Sequence, residues 1–154
     1  MRGAAQTSDL EGLDEALRCA SAPMRELFLK VAESAIQRGS LPRQSSRAAA
    51  ICGLIEVGAW TEAAINIVEF ALPGWILRRI ACEQGEWLCS LSRQPKLPLA
   101  FDETADACNR VLALAIIGAF IEASIRDAAS PRARPSVPLV GPATGQLICC
   151  DNFA

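Results

Sequence analysis

Histidine and tyrosine are absent from all 154 residues, and lysine occurs only at Lys30 and Lys96. Without histidine there is no Ser-His-Asp or Cys-His catalysis and no general base of the commonest kind near neutral pH. The cysteines form no CxxC, so the short paired spacings of a structural zinc site are also missing. No GxGxxG or GxxxxGK[ST] occurs to cradle a phosphate. No metal and no cofactor is therefore expected. Charge of one sign is lacking too: 15 basic and 17 acidic residues leave a net charge of −2, so no field draws the chain onto nucleic acid or anionic lipid. The most apolar run, Val111 to Ile121, spans about 16 Å as a helix against a bilayer core of about 30 Å. It reads as a core helix, not a membrane span. The first residues lack the continuous apolar stretch of a secretory signal, which makes the cytoplasm the expected compartment.

What is present suits a globular domain, with 51% hydrophobic and 21% charged residues. The seven cysteines are odd in number and scattered at 19, 52, 82, 89, 108, 149 and 150. They read as reduced, mostly buried thiols. The vicinal Cys149-Cys150 has the softness to bind a metal or be oxidised, but an inert role is expected.

Along the chain three regions separate: N-terminal helices over 1–43, a helix-helix-hairpin-helix core over 44–129, and a tail over 130–154. Thr7 or Ser8 is placed to cap a first helix carrying Leu10, Leu13 and Leu17 at helical spacing. Pro23 opens a second, with Met24, Leu27, Phe28 and Val31 on one face, and Gly39 stops it. Residues 46–74 read as two helices around a tight turn at Gly58, the second capped by Thr61 and ended by Pro73-Gly74. That second helix is apolar except for a stripe of Glu62, Asn66 and Glu69. Trp75 to Arg93 is the strand region. A long final helix is expected from near Asp102 to about Ala129, with Asp102, Glu103 and Asp106 at its positive end. The tail, rich in proline and glycine, reads as extended and disordered.

Within RRIACEQGEWLCSLS, two hairpin registers compete. A two-residue turn at Gly85-Glu86 pairs Cys82 with Cys89 but scatters the apolar side chains over both faces. A three-residue loop, Glu83-Gln84-Gly85, pairs Cys82 with Glu86 and gathers Trp75, Leu77, Ala81, Trp87, Cys89 and Leu91 on one face. Burial at about 1.5 to 3 kcal/mol for each large side chain favours the second. In that register Cys82 and Cys89 point to opposite faces and cannot bridge.

Few groups remain for chemistry. Asp102 and Asp106, at i and i+4 on the expected helix, have the spacing of an acid/base or cation-binding pair, although acids at a helix start are ordinary dipole partners. The helix-turn-helix layout around Gly58 suggests DNA binding, but its second helix carries Glu62 and Glu69 and no base, which opposes phosphate contact. Arg134-Pro135-Ser136-Val137-Pro138 has a PxxP form of the kind that docks in aromatic grooves, and such forms arise by chance in proline-rich tails.

The segments ALPGWILRRIACEQGEWLCSLSRQP and DETADACNRVLALAIIGAFIEAS resemble a group of small uncharacterised alphaproteobacterial proteins with an LPxW, hairpin and Ala/Leu-rich helix layout. They are also loosely similar to phage ABA-sandwich domains. The resemblance covers roughly 47–129, implies a hairpin layered between helices, and carries no function or catalytic residue.

The expected fold is α+β, mostly helical, with one antiparallel β-hairpin packed on helices. Both edges of a lone hairpin are unpaired, which points to a non-catalytic interaction or regulatory module. Its interaction surface would hold Trp75, Arg78, Arg79, Ile80, Leu88 and Arg93, and edge pairing would make a homodimer. A rival reading is a ligand- or cation-binding enzyme using Asp102, Glu103 and Asp106; a third is a nucleic-acid accessory protein.

Overall fold

The computed structural model describes residues 2–38 and 46–129. Helices α1 (Arg2–Cys19), α2 (Arg25–Arg38), α3 (Ser46–Glu56) and α4 (Trp60–Ala71) come first, then strands β1 (Ile76–Glu83), β2 (Glu86–Ser92) and β3 (Thr104–Asn109), then helix α5 (Leu112–Ala129). The fold is α+β and mostly helical, as expected, but the sheet has three antiparallel strands in the order β1-β2-β3 and not two. The tail, with its PxxP form and Cys149-Cys150, lies outside the described residues, as does the connector around Pro42.

The helical periodicities place the core. Leu10, Leu13 and Leu17 of α1 and Leu27, Phe28, Val31 and Ala35 of α2 are buried together with α4 and α5. Thr7 and Ser8 lie inside α1 and do not cap it. The turn after α3 closes as a Schellman motif, with the Ala59 N–H donating to the Leu54 carbonyl and the Gly58 N–H to that of Ile55. Thr61 does not cap α4: the cap position is Ala59, which makes no side-chain hydrogen bond. Packing supplies what the cap lacks, since the Trp60 ring at the start of α4 lies 5.1 Å from the Phe28 ring at a 53° tilt.

Helix α5 is apolar around its circumference, with Ala113 through Ile121 all buried. Such a helix has to be enclosed. Strands β2 and β3 cover one side of it, and α1 and α4 the other. The approach to β3 is close enough that a Cβ added at Gly118 would stand 2.8 Å from the Ala107 Cβ. Glycine facing alanine is what lets helix and strand meet there.

The expected helix start at Asp102 is corrected: residues 104–109 form β3, and α5 begins only at Leu112. Thr104, Asp106 and Cys108 alternate with Ala105 and Ala107, the period of a strand with one face buried. The chain turns into α5 at Asn109, whose Oδ1 accepts the Val111 N–H at 2.9 Å.

The hairpin register is also corrected. Glu83 pairs with Glu86 and Cys82 with Trp87 across a two-residue turn at Gln84-Gly85. Both turn residues have positive φ, 53° and 83°, the geometry of a type I′ turn that matches strand twist. A bulge at Arg78 then shifts the ladder by one residue, so that Leu77 meets Leu91. Of the apolar set that pointed to one register, Leu77, Trp87, Cys89 and Leu91 share a face through two registers joined at the bulge, while Ala81, paired with Leu88, falls on the other face and Ile80 takes its place. Cys82 and Cys89 consequently share a face, offset along it by two residues, and both are free thiols.

Candidate interaction surface

On the sheet face turned away from α5, alternate residues of β2 and β3 bring Ser90, Ser92, Thr104 and Asp106 together. The Ser92 hydroxyl donates to Asp102 Oδ2 at 2.5 Å and accepts the Gln94 N–H at 3.0 Å. Arg78, turned outward at the bulge, also binds Asp102 Oδ2 and donates to the Leu97 carbonyl at 2.8 Å. Asp106 accepts from Ser90 and, at 2.7 Å, from the Thr104 hydroxyl. Serines at two buried strand positions are thereby satisfied by carboxylates.

The Asp102 side chain is only 1% exposed. Its Oδ1 has no hydrogen-bond partner among the described residues. The Ser92 hydrogen bond holds its pKa below the ordinary carboxylate value, and Arg78 adds to this against the opposing effect of burial. Asp102 and Asp106 lie on one face, though by strand period rather than helix period, and each carboxylate is engaged by hydroxyl or guanidinium donors. Glu103 is exposed beside them. Among the described residues no group of three or more His, Cys, Asp or Glu is placed to hold a metal ion. The arrangement ties the 93–103 connector to the sheet.

The thiol of Cys89, on the α5 side, is pushed up to about 12 by burial, with the Asp106 charge adding to it. It is a packing group and not a nucleophile.

The residues expected to form an interaction surface divide. Trp75 is 5% exposed, and the Arg93 guanidinium lies 4.9 Å above its ring. Arg93 is bound in turn to Asp127 of α5. Arg78 is held at the bulge as described. Leu88 is half-buried in the central strand, because β3 occupies the edge of β2 that a lone hairpin would leave open. Arg79 and Ile80 remain on the outer strand β1, and Ile80 is 38% exposed.

β1 combines two features. Toward its turn its inner face is exposed, at Ile80 and Cys82, although Cys89, opposite Ile80, is fully buried and Leu77 at the other end of the strand packs on the core. Its outer backbone, like that of β3 at the opposite edge, is unpaired among the described residues. Glu83 and Glu86 flank a two-residue turn and exchange both backbone bonds, so Glu83, Ala81 and Arg79 direct their N–H and C=O groups at β2. Ile80 and Cys82 direct theirs outward. Beside the start of β1 lies a cavity of about 430 Å³ walled by Val68, Trp75, Leu77, Leu91 and Ile116.

Glu83 and Cys82 are missing from the expected interaction surface because the three-residue loop register placed the first in the loop and the second on the far face. The alternation in CSLS carried the signal for Ser90 and Ser92, since strand period sets both serines opposite Cys89 and Leu91. Among the described residues no helix is long and apolar enough to cross a membrane. Comparison with known proteins finds no matching family model, no matching curated protein and no matching solved structure, so the surface has to be read from this chain's own residues.

Proposed function

We propose that this chain is a non-catalytic cytoplasmic interaction module that binds an extended protein segment along the free edge of β1. The observation carrying this reading is the outward-facing backbone of Ile80 and Cys82, whose side chains on the inner face are also exposed. Edge strands of soluble proteins are normally blunted by bulges and charges. Here the bulge sits at Arg78, near one end of the strand, and leaves Arg79 to Glu83 in regular pairing. Strand addition supplies main-chain hydrogen bonds for affinity, and alternate side chains supply specificity. Of the carboxylates of the rival catalytic reading, Asp102 is occupied in holding the connector and Asp106 in bonding Ser90 and Thr104, which favours the edge over them.

Amide hydrogen exchange tests this reading directly. In a sample shown by sedimentation to be monomeric, the Ile80 and Cys82 amides should exchange much faster than those of Ala81 and Glu83, which face β2. Slow exchange at both Ile80 and Cys82 in that monomer would mean that the edge is already covered, and would end the proposal.

A further inference from the structure

We infer that the strand accepted by β1 is β1 of a second copy, paired antiparallel about a twofold axis through Ala81. The inference rests on the edge reading above and names its partner.

The register follows from backbone direction and charge. A new antiparallel neighbour must set outward-facing residues opposite outward-facing residues, so Ile80 and Cys82 of one copy have to meet Ile80 or Cys82 of the other in a central pairing. Three such registers exist. Placing Ile80 opposite Ile80 leaves Arg79 facing Ala81. Placing Cys82 opposite Cys82 leaves Glu83 facing Ala81. Placing Ile80 opposite Cys82 sets Ala81 against Ala81 and Arg79 against Glu83 of the other copy, twice, by symmetry. A slip of one further step either way sets Arg79 against Arg79 or Glu83 against Glu83. Only the Ala81-centred register pairs both charges with their opposites, and cross-strand charge pairs on one face select register.

The charges are free to make that exchange. Arg79 and Glu83 side chains are 49% and 73% exposed, and their mutual contact within one chain is a long 3.4 Å. Arg78, by contrast, is committed to Asp102. On the α5 side, the same register lays Ile80 beside Cys82 of the partner strand twice. A continuous apolar strip then forms over two inner faces that α5 leaves bare, extended by the half-buried Trp87 opposite Cys82. The patch is self-complementary, as an isologous interface has to be. The pairing merges two three-stranded sheets into one of six strands with an α5 on the same face of each half.

Charge reversal provides the test. Sedimentation of the full chain should show reversible dimerisation. Arg79→Glu alone sets Glu against Glu at both symmetric positions, and Glu83→Arg alone sets Arg against Arg; each should weaken self-association by about tenfold or more. Mixing the two single variants should restore association as a heterodimer, because each strand then meets the opposite charge at both positions. In a separate arm, Ala81→Cys should form a disulfide with itself, identified by mapping the linked peptide. Circular dichroism of each variant should match that of the parent chain. A chain that stays monomeric at high micromolar concentration while the Ile80 and Cys82 amides remain open overturns the second copy as partner, and leaves the edge reading for a different chain. Dimers unaffected by either charge reversal overturn the register.

Discussion

Two halves of one sheet face behave oppositely. Over β2 and β3, Cys89, Leu91 and Ala105 face α5 with zero exposure and Ala107 is half-buried against it, whereas one strand away Ile80 and Cys82 face the same direction and are exposed. Coverage, rather than residue type alone, makes the difference. α5 reaches β3 because Ala105, Ala107 and Gly118 are small enough for close approach, and its width ends before β1. The sealed half supplies stability; the open half holds the edge of the proposed pairing. The largest perturbation should therefore come from the sealed half. Phe120, fully buried in α5, has no room to leave without a void, and Phe120→Ala should cost about 3–5 kcal/mol in chemical denaturation. A loss under about 1 kcal/mol would show that α5 is less enclosed than its burial indicates.

The contact between Gly118 and Ala107 sharpens the comparison. In an open helix Gly→Ala gains up to about 1 kcal/mol. Here the new methyl would lie 2.8 Å from the Ala107 Cβ and 3.2 Å from Leu17 Cδ2. Overpacking of this kind typically costs about 1–3 kcal/mol, so Gly118→Ala should lower the thermal midpoint despite its better propensity. Ala107→Gly in the same chain should recover part of the loss. A raised midpoint for Gly118→Ala alone would show that α5 can move away from the sheet.

The buried polar cluster behind β2 gives a pH-dependent difference. The carboxyl of Asp102 titrates below its ordinary value in the folded chain because Ser92 and Arg78 stabilise the charged form. A depressed carboxylate contributes stability above its unfolded pKa and loses that contribution as pH falls through the folded value. Asp102→Asn should be less stable than the parent at neutral pH, and the gap should close on acidification below about pH 4. A gap independent of pH would assign the effect to shape and not to charge. Because the cluster ties down only the connector, the effect should be smaller than at Phe120.

Legibility in the sequence followed the same divide. Helices α2, α3 and α4 and the core of α5 were readable because their apolar periodicity is dictated by local burial. β3 was not, for a physical reason. TADACN is short, its Ala, Asp and Asn have little strand preference of their own, and three acids, Asp102, Glu103 and Asp106, ahead of an apolar helix mimic a helix start. The strand exists because β2 offers an edge and α5 needs small residues beneath it, and both are tertiary facts. The turn was missed for a related reason: Gln84 takes a positive φ that favours Asn or Asp, while the bulge at Arg78 allows one apolar face to survive a change of register. The candidate edge was legible as a hairpin, but which edge stayed open depended on β3.

The smallest effect on stability should come from the open half. Ile80 is more than a third exposed on the outer strand, toward the turn and away from the Leu77 end that packs on the core, so Ile80→Ser removes little buried area from the single chain. The denaturation midpoint of a dilute, monomeric sample should move by less than about 0.5 kcal/mol. In the proposed dimer, however, the same side chain lies twice in the apolar strip beside Cys82 of the opposite strand. Concentration-dependent sedimentation of Ile80→Ser should then show weaker self-association with unchanged monomer stability. Loss of stability without loss of association would place Ile80 with the sealed half, and would remove the division between the two halves of the sheet.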